Sequence, residues 1–376
     1  MKILIVKLGS IGDVVHALPA VAALRRHFPE AHLDWVVERS ARPILDYFRP
    51  VDRIIEIDTL KWRRSLGSRQ TWLEISDRLK IFRAEHYDLV FDFQGLWKSA
   101  FVGWLAQGTR LIGAEPERMR ESIAAVFYSQ RIQIPPRREN VVFEHLRLVD
   151  CFLRDPSALE SKSGEPSGDD FEVDFDRLYS PEEEAWAGSE LRRRKLREFI
   201  ILNPGANWKS KLWPVENYVL LARKIRDESS YQVVVTVGPD EQELAADISG
   251  RLPAGAVEII STTLNRLAAL AARAQLFVGP DTGPFHIAVA VGTPVVGLFA
   301  PTDPVRNGSY RMQDIMIHQN RCGEFCHRRD CGARRCITAI PVDHVWEALC
   351  SRLKSAGSKQ ASGNPKEPAF SPPRYE

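Results

Sequence analysis

The fold is decided by the stretch Val278-Gly-Pro-Asp-Thr-Gly-Pro-Phe-His-Ile-Ala-Val-Ala-Val-Gly-Thr-Pro-Val-Val-Gly-Leu-Phe-Ala-Pro-Thr-Asp-Pro304. An apolar run ends at Val278, and a tight loop from Gly279 to Gly283 follows it. The residues after this loop predict a short helix that starts near Pro284, and 295–299 predicts the next buried strand. A strand, a loop, a helix and a further strand in this order are typical of an α/β fold with a parallel sheet.

Four residues of that loop and helix are candidates for binding a phosphate: Asp281, Thr282, Gly283 and His286. They lie between the carboxyl end of a predicted strand and a helix N-terminus, where open α/β sheets bind ligands and where the helix dipole favours an anion. We expect backbone N–H groups and the Thr282 hydroxyl to donate to phosphate oxygens. His286 either donates to a leaving phosphate or packs on the first helical turn. Asp281 repels an anion, so we expect it to orient the loop or to accept from a sugar hydroxyl.

The N-terminus has the same organisation in Met1-Lys-Ile-Leu-Ile-Val-Lys-Leu-Gly-Ser-Ile-Gly-Asp-Val-Val-His-Ala-Leu-Pro-Ala-Val-Ala-Ala-Leu-Arg-Arg26. A strand, a glycine loop and a helix are predicted, and Asp13 lies at the mouth of the helix. Its carboxylate is a candidate general base, and the alternative is that it only begins the helix. The loop 9–12 lacks the G-x-G-x-x-G spacing of a dinucleotide site, which argues against a nicotinamide-dependent oxidoreductase.

Strand-like apolar runs alternate with helical patterns twice along the chain. The predicted strands are 3–7, 33–37, 53–57, 89–92 and 110–112, then 199–202, 232–237, 257–259, 276–278 and 295–299. The predicted helices are 14–27, 41–48, 71–85 and 95–106, then 181–197, 215–229, 240–251, 263–272 and 285–291. This alternation predicts parallel sheets with helices on both faces.

The length of 376 residues and the repeated pattern predict two domains. We place the first over 1–160, a linker or surface insertion over 161–180, and the second over 181–354. The insertion is rich in small and polar residues. Residues 355–376 contain few apolar side chains and predict a disordered tail.

Composition excludes several classes of function. A net charge of +2 is too small to indicate a protein that binds nucleic acid. The apolar N-terminus carries Lys2 and Lys7 and is followed at once by Gly9, so it predicts a first strand and not a secretory signal. No apolar run reaches the ~18 residues that a spanning helix needs. We therefore expect a cytoplasmic protein that meets a membrane only at its surface.

The two quoted segments together resemble the ADP-heptose:lipopolysaccharide heptosyltransferases, glycosyltransferase family 9. Further similar motifs are Asp34-Trp-Val-Val-Glu38, Tyr87-Asp-Leu-Val-Phe-Asp-Phe-Gln-Gly-Leu-Trp-Lys-Ser99, Lys211-Leu-Trp-Pro214 and Pro301-Thr-Asp-Pro304. The resemblance covers residues 1–350, and the first half is most similar to the enzymes that add the first heptose. It implies the GT-B architecture, with two Rossmann-like domains facing a central cleft. It also implies transfer of heptose, with inversion, from ADP-heptose to Kdo of a lipid A precursor at the cytoplasmic face of the inner membrane, with Asp13 as the base.

The same resemblance implies further donor-binding residues in the second domain. Lys211 would neutralise charge on the departing diphosphate, and Lys209 is the alternative. Asn207 would donate to phosphate, although the first-heptose enzymes carry a threonine there. Glu241 would accept from the ribose hydroxyls, and Glu243 is the alternative. Because Lys211 and a helix N-terminus supply positive charge, no metal or other cofactor is expected.

Basic residues of the first half are candidates for binding the acceptor, whose Kdo carboxylates and lipid A phosphates attract cations. Together with one glycine that allows close approach, the expected acceptor-binding residues are Lys7, Gly12, Lys61, Arg63, Arg64, Lys98 and Arg120. The alternative is an ordinary solvated surface. The same charges would also attract an anionic bilayer.

The cysteines at 322, 326, 331 and 336 have the spacing C-x3-C-x4-C-x4-C. Zinc sites usually have C-x2-C or C-x4-C pairs separated by a longer stretch, so free thiols are expected and no metal site is predicted. A zinc-stabilised anion-binding module is the non-enzymatic alternative. The enzymatic alternatives are a family member that adds the second heptose or modifies another glycan, and a sugar-nucleotide epimerase of GT-B shape.

Overall fold

The computed structural model describes residues 1–65, 67–119, 121–154, 171, 173–319, 321–323, 325–332 and 335–360, the last five without their side chains. They form two compact units that divide between Asp176 and Arg177. This division lies in the predicted linker, whose residues 161–170 are outside the described residues, as is the predicted tail after Gln360. In the part of the chain that is described, no helix combines the length and the apolar character needed to cross a bilayer.

The first unit is a parallel six-stranded sheet flanked by helices. Its strands are β1 Lys2–Val6, β2 His32–Glu38, β3 Arg53–Ile57, β4 Leu89–Asp92, β5 Arg110–Ala114 and β6 Gln130–Ile132. Its helices are α1 Ile11–His27, α2 Thr59–Arg64, α3 Arg69–Ala84, α4 Trp97–Leu105 and α5 Val141–Arg154. The last four residues of β1 are completely buried, because a central parallel strand is covered on both faces.

The second unit repeats this plan. Its strands are β7 Phe199–Leu202, β8 Gln232–Val237, β9 Glu258–Ser261, β10 Leu276–Pro280, β11 Val295–Phe299 and β12 Ile315–His318. Its helices are α6 Pro181–Arg193, α7 Val215–Glu228, α8 Gln242–Gly250, α9 Leu264–Ala271, α10 Gly283–Ala290, α11 Pro304–Asn307 and α12 Val342–Gln360. Ile200 and Leu202 belong to one buried cluster and Phe199 and Ile201 to another. Since successive strand residues point to opposite faces, helices cover both faces of this sheet.

Both sheets have the strand order of a doubly wound Rossmann fold. The orders are β3-β2-β1-β4-β5-β6 and β12-β11-β10-β7-β8-β9, and each becomes 3-2-1-4-5-6 when counted within its unit. The order of connection reverses between β1 and β4 and between β7 and β10, and ligands bind at the carboxyl ends of such pairs. The fold class predicted from the sequence, α/β with two Rossmann-like units, is confirmed.

Several elements differ from the sequence-based expectation. The strands β6 and β12 are not predicted, because they are short edge strands in which only Ile132 is buried. The helix α5 is also not predicted, although its apolar residues recur at helical spacing. The helix expected over 41–48 is only the 3-10 turn Arg42–Leu45. Residues 355–360, expected in the disordered tail, continue α12.

Candidate active site

The best-defined cluster of charged side chains in the second unit lies at the switch point between β7 and β10. Lys211 ends a single 3-10 turn, Lys209–Lys211, in the connection that follows β7. Asp281 and Thr282 connect β10 to α10. Because β7 and β10 pair in parallel, these two connections leave the same edge of the sheet side by side. Residues that are distant along the chain therefore meet at the place where this fold binds ligands.

The Asp281 carboxylate is the centre of this cluster. Its Oδ2 accepts from Lys211 Nζ at 2.6 Å and from the Thr302 hydroxyl at 2.6 Å. Its Oδ1 lies 2.9 Å from His286 Nε2, and Lys211 Nζ also donates to the Asp281 carbonyl oxygen at 2.7 Å. The side chains of Lys211, Asp281 and His286 are only 13%, 6% and 6% exposed. Asp281 thus fixes one lysine and one histidine beside a helix N-terminus.

Burial alone would raise the pKa of Asp281, because removal from water disfavours the anion. The hydrogen bond from His286 and the charge of Lys211 outweigh burial, and they hold the pKa of Asp281 well below its usual range. Asp281 is therefore ionised at neutral pH, so His286 Nε2 carries the proton of the hydrogen bond between them. That Asp281 orients the loop stays a prediction, for which these contacts supply the geometry.

Helix α10 begins next to the cluster. Thr282 is its N-cap residue and Gly283 its first residue. The Thr282 hydroxyl donates to the Pro280 carbonyl at 3.2 Å, so its proton is used within the loop. The first N–H groups of a helix have no acceptor inside it, and Gly283 and Phe285 supply such groups here. These N–H groups are the donors that the helix offers to an anion.

Glu241 lies in the connection between β8 and α8, and β8 is the strand next to β7. Its Oε2 accepts from the Gly238 N–H at 2.7 Å. Gly205 in the β7 connection lies so close that a side-chain carbon there would overlap the Glu241 carboxylate. Glu241 therefore faces this connection, whereas Glu243 is exposed on α8. Asn207 is exposed in the same connection as Gly205.

Two cations lie against one indole ring beside this cluster. Lys211 Nζ is 4.6 Å, and the Arg329 guanidinium carbon 5.6 Å, from the Trp208 ring centroid. The Ser210 hydroxyl donates to the Arg328 carbonyl at 2.6 Å, and the Ser210 N–H donates to the Arg329 carbonyl at 3.3 Å. The cysteine-containing segment is therefore attached to the connection that carries Lys211.

That segment has no metal-binding arrangement among the residues the structure describes. The Sγ atoms of Cys322 and Cys336 are 3.8 Å apart, and all six cysteines are free thiols. In the described ranges, no three histidine, cysteine or acidic residues are grouped so that they could hold a metal. What the segment brings to the site is the Arg329 guanidinium and two backbone carbonyls.

In the first unit, Asp13 is the third residue of α1, next to the carboxyl end of β1. Its Oδ2 accepts from the Ser10 N–H at 2.8 Å and from the Ser10 hydroxyl at 3.2 Å. No described residue donates to Oδ1. The two interpretations of Asp13 therefore use different oxygens: Oδ2 caps the start of the helix, and Oδ1 is the oxygen that a general base would use.

Comparison with known proteins identifies the family. The model of glycosyltransferase family 9 (heptosyltransferase) matches residues 78–335. The chain belongs to this family.

Lipopolysaccharide heptosyltransferase 1 of Pseudomonas aeruginosa is 29% identical over 337 residues, which are 88% of this chain and 87% of that protein. Lipopolysaccharide heptosyltransferase 1 of Escherichia coli is 29% identical over 325 residues, 85% of this chain and 94% of that one. The solved structure of E. coli heptosyltransferase WaaC with ADP has a TM-score of 0.72 at 25% identity and covers 94% of this chain and 100% of that one.

Membership of glycosyltransferase family 9 confirms the resemblance seen in the sequence and makes the chain a glycosyltransferase. The GT-B fold class is confirmed too, since the structural match extends over nearly the whole chain. The range matched by the family model contains every donor-binding residue expected in the second unit. Asp13 precedes that range and lies in the N-terminal unit.

Lys7 differs from the expectation for an acceptor-binding residue of this glycosyltransferase. It is 4% exposed, and its Nζ donates to the Phe93 carbonyl at 2.8 Å and lies 3.4 Å from His145 Nε2. Its ammonium is thus held by the protein itself. Gly12 is buried in the first turn of α1.

The other basic residues expected at the acceptor fall into two groups. Lys61 and Lys98 are each paired with a glutamate, at 2.7 and 2.6 Å. Arg63 and Arg64 are exposed at the end of α2, with no ion-pair partner among the described residues. Arg120 lies outside the described residues. Among the basic residues of this set that the structure describes, the two arginines are therefore the ones available to an anionic ligand.

Three residues beside the cluster of Lys211, Asp281 and His286 were not predicted. Thr302 contacts Asp281, Trp208 contacts Lys211, and Arg329 contacts Trp208. Thr302 lies in the motif Pro301-Thr-Asp-Pro304, which was quoted for its resemblance to the family but was given no role. Arg329 lies in a segment noted only for its cysteines. The available signal was the position of Thr302 three residues after the predicted strand 295–299, since Asp281 lies equally far after the predicted strand 276–278.

Proposed function

We propose that this glycosyltransferase transfers heptose from ADP-heptose to Kdo of a lipid A precursor, with inversion, in the synthesis of the lipopolysaccharide inner core. The observation that carries the proposal is the buried cluster of Lys211, Asp281 and His286 at the N-terminus of α10. Such a cluster suits a diphosphate. The two relatives called lipopolysaccharide heptosyltransferase 1 and the matching structure with ADP support the same reaction.

For the donor, we propose that Lys211, Asn207 and the N-terminus of α10 bind the diphosphate of ADP-heptose. Glu241 accepts hydrogen bonds from the ribose hydroxyls. Asp281 keeps Lys211 and His286 in place, and Thr302 fixes Asp281. Since an ammonium group and helix N–H groups supply positive charge here, the transfer needs no metal cofactor, and a chelator should leave the rate unchanged.

For the chemistry, we propose a single displacement at the anomeric carbon. The acceptor hydroxyl oxygen forms the new bond while the bond to the diphosphate oxygen breaks, and ADP leaves. Asp13 Oδ1 takes the proton of the attacking hydroxyl, while Ser10 holds Oδ2. Attack from the side opposite the leaving group inverts the configuration.

For the acceptor, we propose that Arg63 and Arg64 bind carboxylate or phosphate groups of the Kdo-lipid A molecule. Both are exposed and lack an ion-pair partner among the described residues. Because that acceptor is a lipid, the protein works as a peripheral protein at the cytoplasmic face of the inner membrane. Neutralising both arginines should raise KM for the acceptor and leave ADP affinity unchanged.

The test offers ADP-heptose with Kdo-lipid A and, in parallel, with an already heptosylated acceptor. Heptose should be transferred to the first acceptor only, and Asp13→Asn should abolish most of that transfer. Transfer to the second acceptor alone would assign the enzyme to the second heptose. Conversion of ADP-heptose without any acceptor would indicate an epimerase instead.

A further inference from the structure

We propose that one surface of the first unit docks on the interfacial region of an anionic phospholipid bilayer. This surface, the aromatic face, consists of the outer sides of α4 and of the 3-10 segment Ser122–Phe127, with the basic helices α2 and α3 beside it. The inference rests on the membrane association included in the proposed function, but it does not depend on which sugar is transferred.

The aromatic face exposes large apolar side chains. Trp97, Trp104, Ile123 and Val126 are 54%, 53%, 64% and 69% exposed. Among the described residues, eleven large apolar side chains are at least 38% exposed, and eight of them lie between residues 60 and 126. Scattered exposed apolar residues need no explanation, but a group of them marks an interaction site.

The exposed residues belong to one continuous surface. The rings of Phe101 and Trp104 stack at 5.8 Å, and Trp104 lies 6.2 Å from Phe127. On their inner sides, α2, α3, α4 and the 3-10 segment all pack against the same core cluster, through Trp62, Leu79, Val102 and Phe127 respectively. The four elements therefore cover one side of the sheet, and their outer sides are neighbours.

The positive charge of the helices beside the aromatic face favours an anionic partner. Residues 59–84, which span α2 and α3, contain seven lysines and arginines and two acids, a net charge of +5, whereas the whole chain has +2. Arg63, Arg64 and Arg69 are exposed and have no ion-pair partner in the described part of the chain. Tryptophan and phenylalanine next to arginine and lysine suit the boundary between lipid headgroups and acyl chains, and anionic lipids attract the cations.

A second copy of the chain fits this surface less well. A symmetric dimer through the aromatic face would bring two segments of charge +5 close together, and like charges at that distance repel. An anionic bilayer has the opposite charge, and it accommodates flat groups of aromatic side chains without a complementary shape.

The experiment measures binding of the full chain to vesicles by co-sedimentation. The vesicles contain phosphatidylcholine alone or phosphatidylcholine with phosphatidylglycerol. The test variant is Ile123→Glu with Val126→Glu, and both positions are exposed enough to accept glutamate without disturbing the core. The matched control is Leu220→Glu, at a 49% exposed leucine of α7 in the second unit. ADP affinity, a property of the second unit, and thermal stability show that each variant is folded.

We expect the wild type to bind the anionic vesicles more tightly than the neutral ones, and salt to weaken that preference. The partition coefficient of the double glutamate variant should fall about tenfold or more. Transfer of a single apolar side chain from water into the bilayer already changes the partition coefficient by about that factor. Leu220→Glu should bind like the wild type. Arg63→Gln with Arg64→Gln should reduce the preference for anionic vesicles while leaving binding to neutral vesicles unchanged.

Equal vesicle binding by the wild type and the double variant would overturn the proposal, as would an equal loss in Leu220→Glu. So would a wild-type chain that self-associates through this face in sedimentation velocity and binds no vesicles. A soluble, delipidated acceptor separates this proposal from the proposed function. If the double variant transfers heptose to it normally but does not bind vesicles, both proposals stand. If the wild type binds vesicles but transfers no heptose, only the docking surface stands.

Discussion

Replacing Gly205 with alanine tests where the ribose of the donor binds. The added carbon would overlap the Glu241 carboxylate, so the carboxylate must move. Glu241 would then lose its hydrogen bond from the Gly238 N–H, now 2.7 Å long, and the position in which we propose that it binds the ribose. The backbone of Gly205 has no left-handed φ, so the expected effect is due to the overlap alone.

The magnitude follows from the contacts that would be lost. A hydrogen bond to a charged group contributes about 1.5–3 kcal/mol, which corresponds to roughly 10- to 150-fold in affinity. We therefore expect the Kd of ADP to rise by roughly that factor in Gly205→Ala. Gly250→Ala is the matched control, because no atom lies within 4 Å of the added carbon.

Titration calorimetry with ADP provides the measurement, on the wild type, Gly205→Ala, Glu241→Ala and the double variant. Glu241→Ala removes the group that the new methyl would displace, so Gly205→Ala should have little further effect in that background. An unchanged Kd in Gly205→Ala would refute the reasoning. So would a full effect of Gly205→Ala in the absence of Glu241.

Three further predictions concern the charged groups of the two units. Asp13→Asn should lower kcat by ~10²-fold or more, because the amide cannot take a proton, with ADP affinity unchanged; near-normal turnover would remove Asp13 from catalysis. Lys211→Met should weaken ADP binding by about 1–3 kcal/mol, as measured by calorimetry against Lys209→Met, which should bind ADP normally. The depressed pKa of Asp281 means that its stabilisation is present above the usual aspartate pKa of about 3.9 and is lost as pH falls towards its folded value. The free energy of unfolding of Asp281→Asn, measured with urea and tryptophan fluorescence, should therefore depend less on pH in the acid range than that of the wild type. The same pH dependence in both proteins would contradict the depressed pKa of Asp281.

Sequence patterns predicted those elements best whose limits are marked by local signals. The strands over 199–202, 232–237 and 295–299 have the predicted bounds, because each is a short apolar run bounded by residues that break strands. The charge argument for Asp281 also needed only local information, since an acid at a helix N-terminus repels an anion unless a cation accompanies it. The lysine that accompanies it, Lys211, was itself among the predicted residues.

Long-range contacts were not available from the sequence. Lys7 was predicted to bind the acceptor, and nothing in its own segment indicates that Phe93, after β4, and His145, in α5, lie at its ammonium. The hydroxyl of Thr302 reaches Asp281 only because β10 and β11 are neighbours in the sheet. The order of the strands cannot be predicted from the sequence of any single segment. The edge strands β6 and β12 escaped prediction for a related reason, since their neighbours bury them only in part.

We expect the pairing of Lys211 with Asp281, at the proposed diphosphate site, to affect how readily ADP leaves after the transfer. Their charged atoms are 2.6 Å apart and both side chains are almost fully buried, so the pair has no net charge before any nucleotide binds. A lysine without this partner would attract ADP much more strongly, and it would retain the product as firmly as it bound the donor. The aspartate lowers that attraction but leaves the ammonium fixed in one direction. We expect Asp281 to favour fast release of ADP in this way, in a class of reactions where product release often limits the rate.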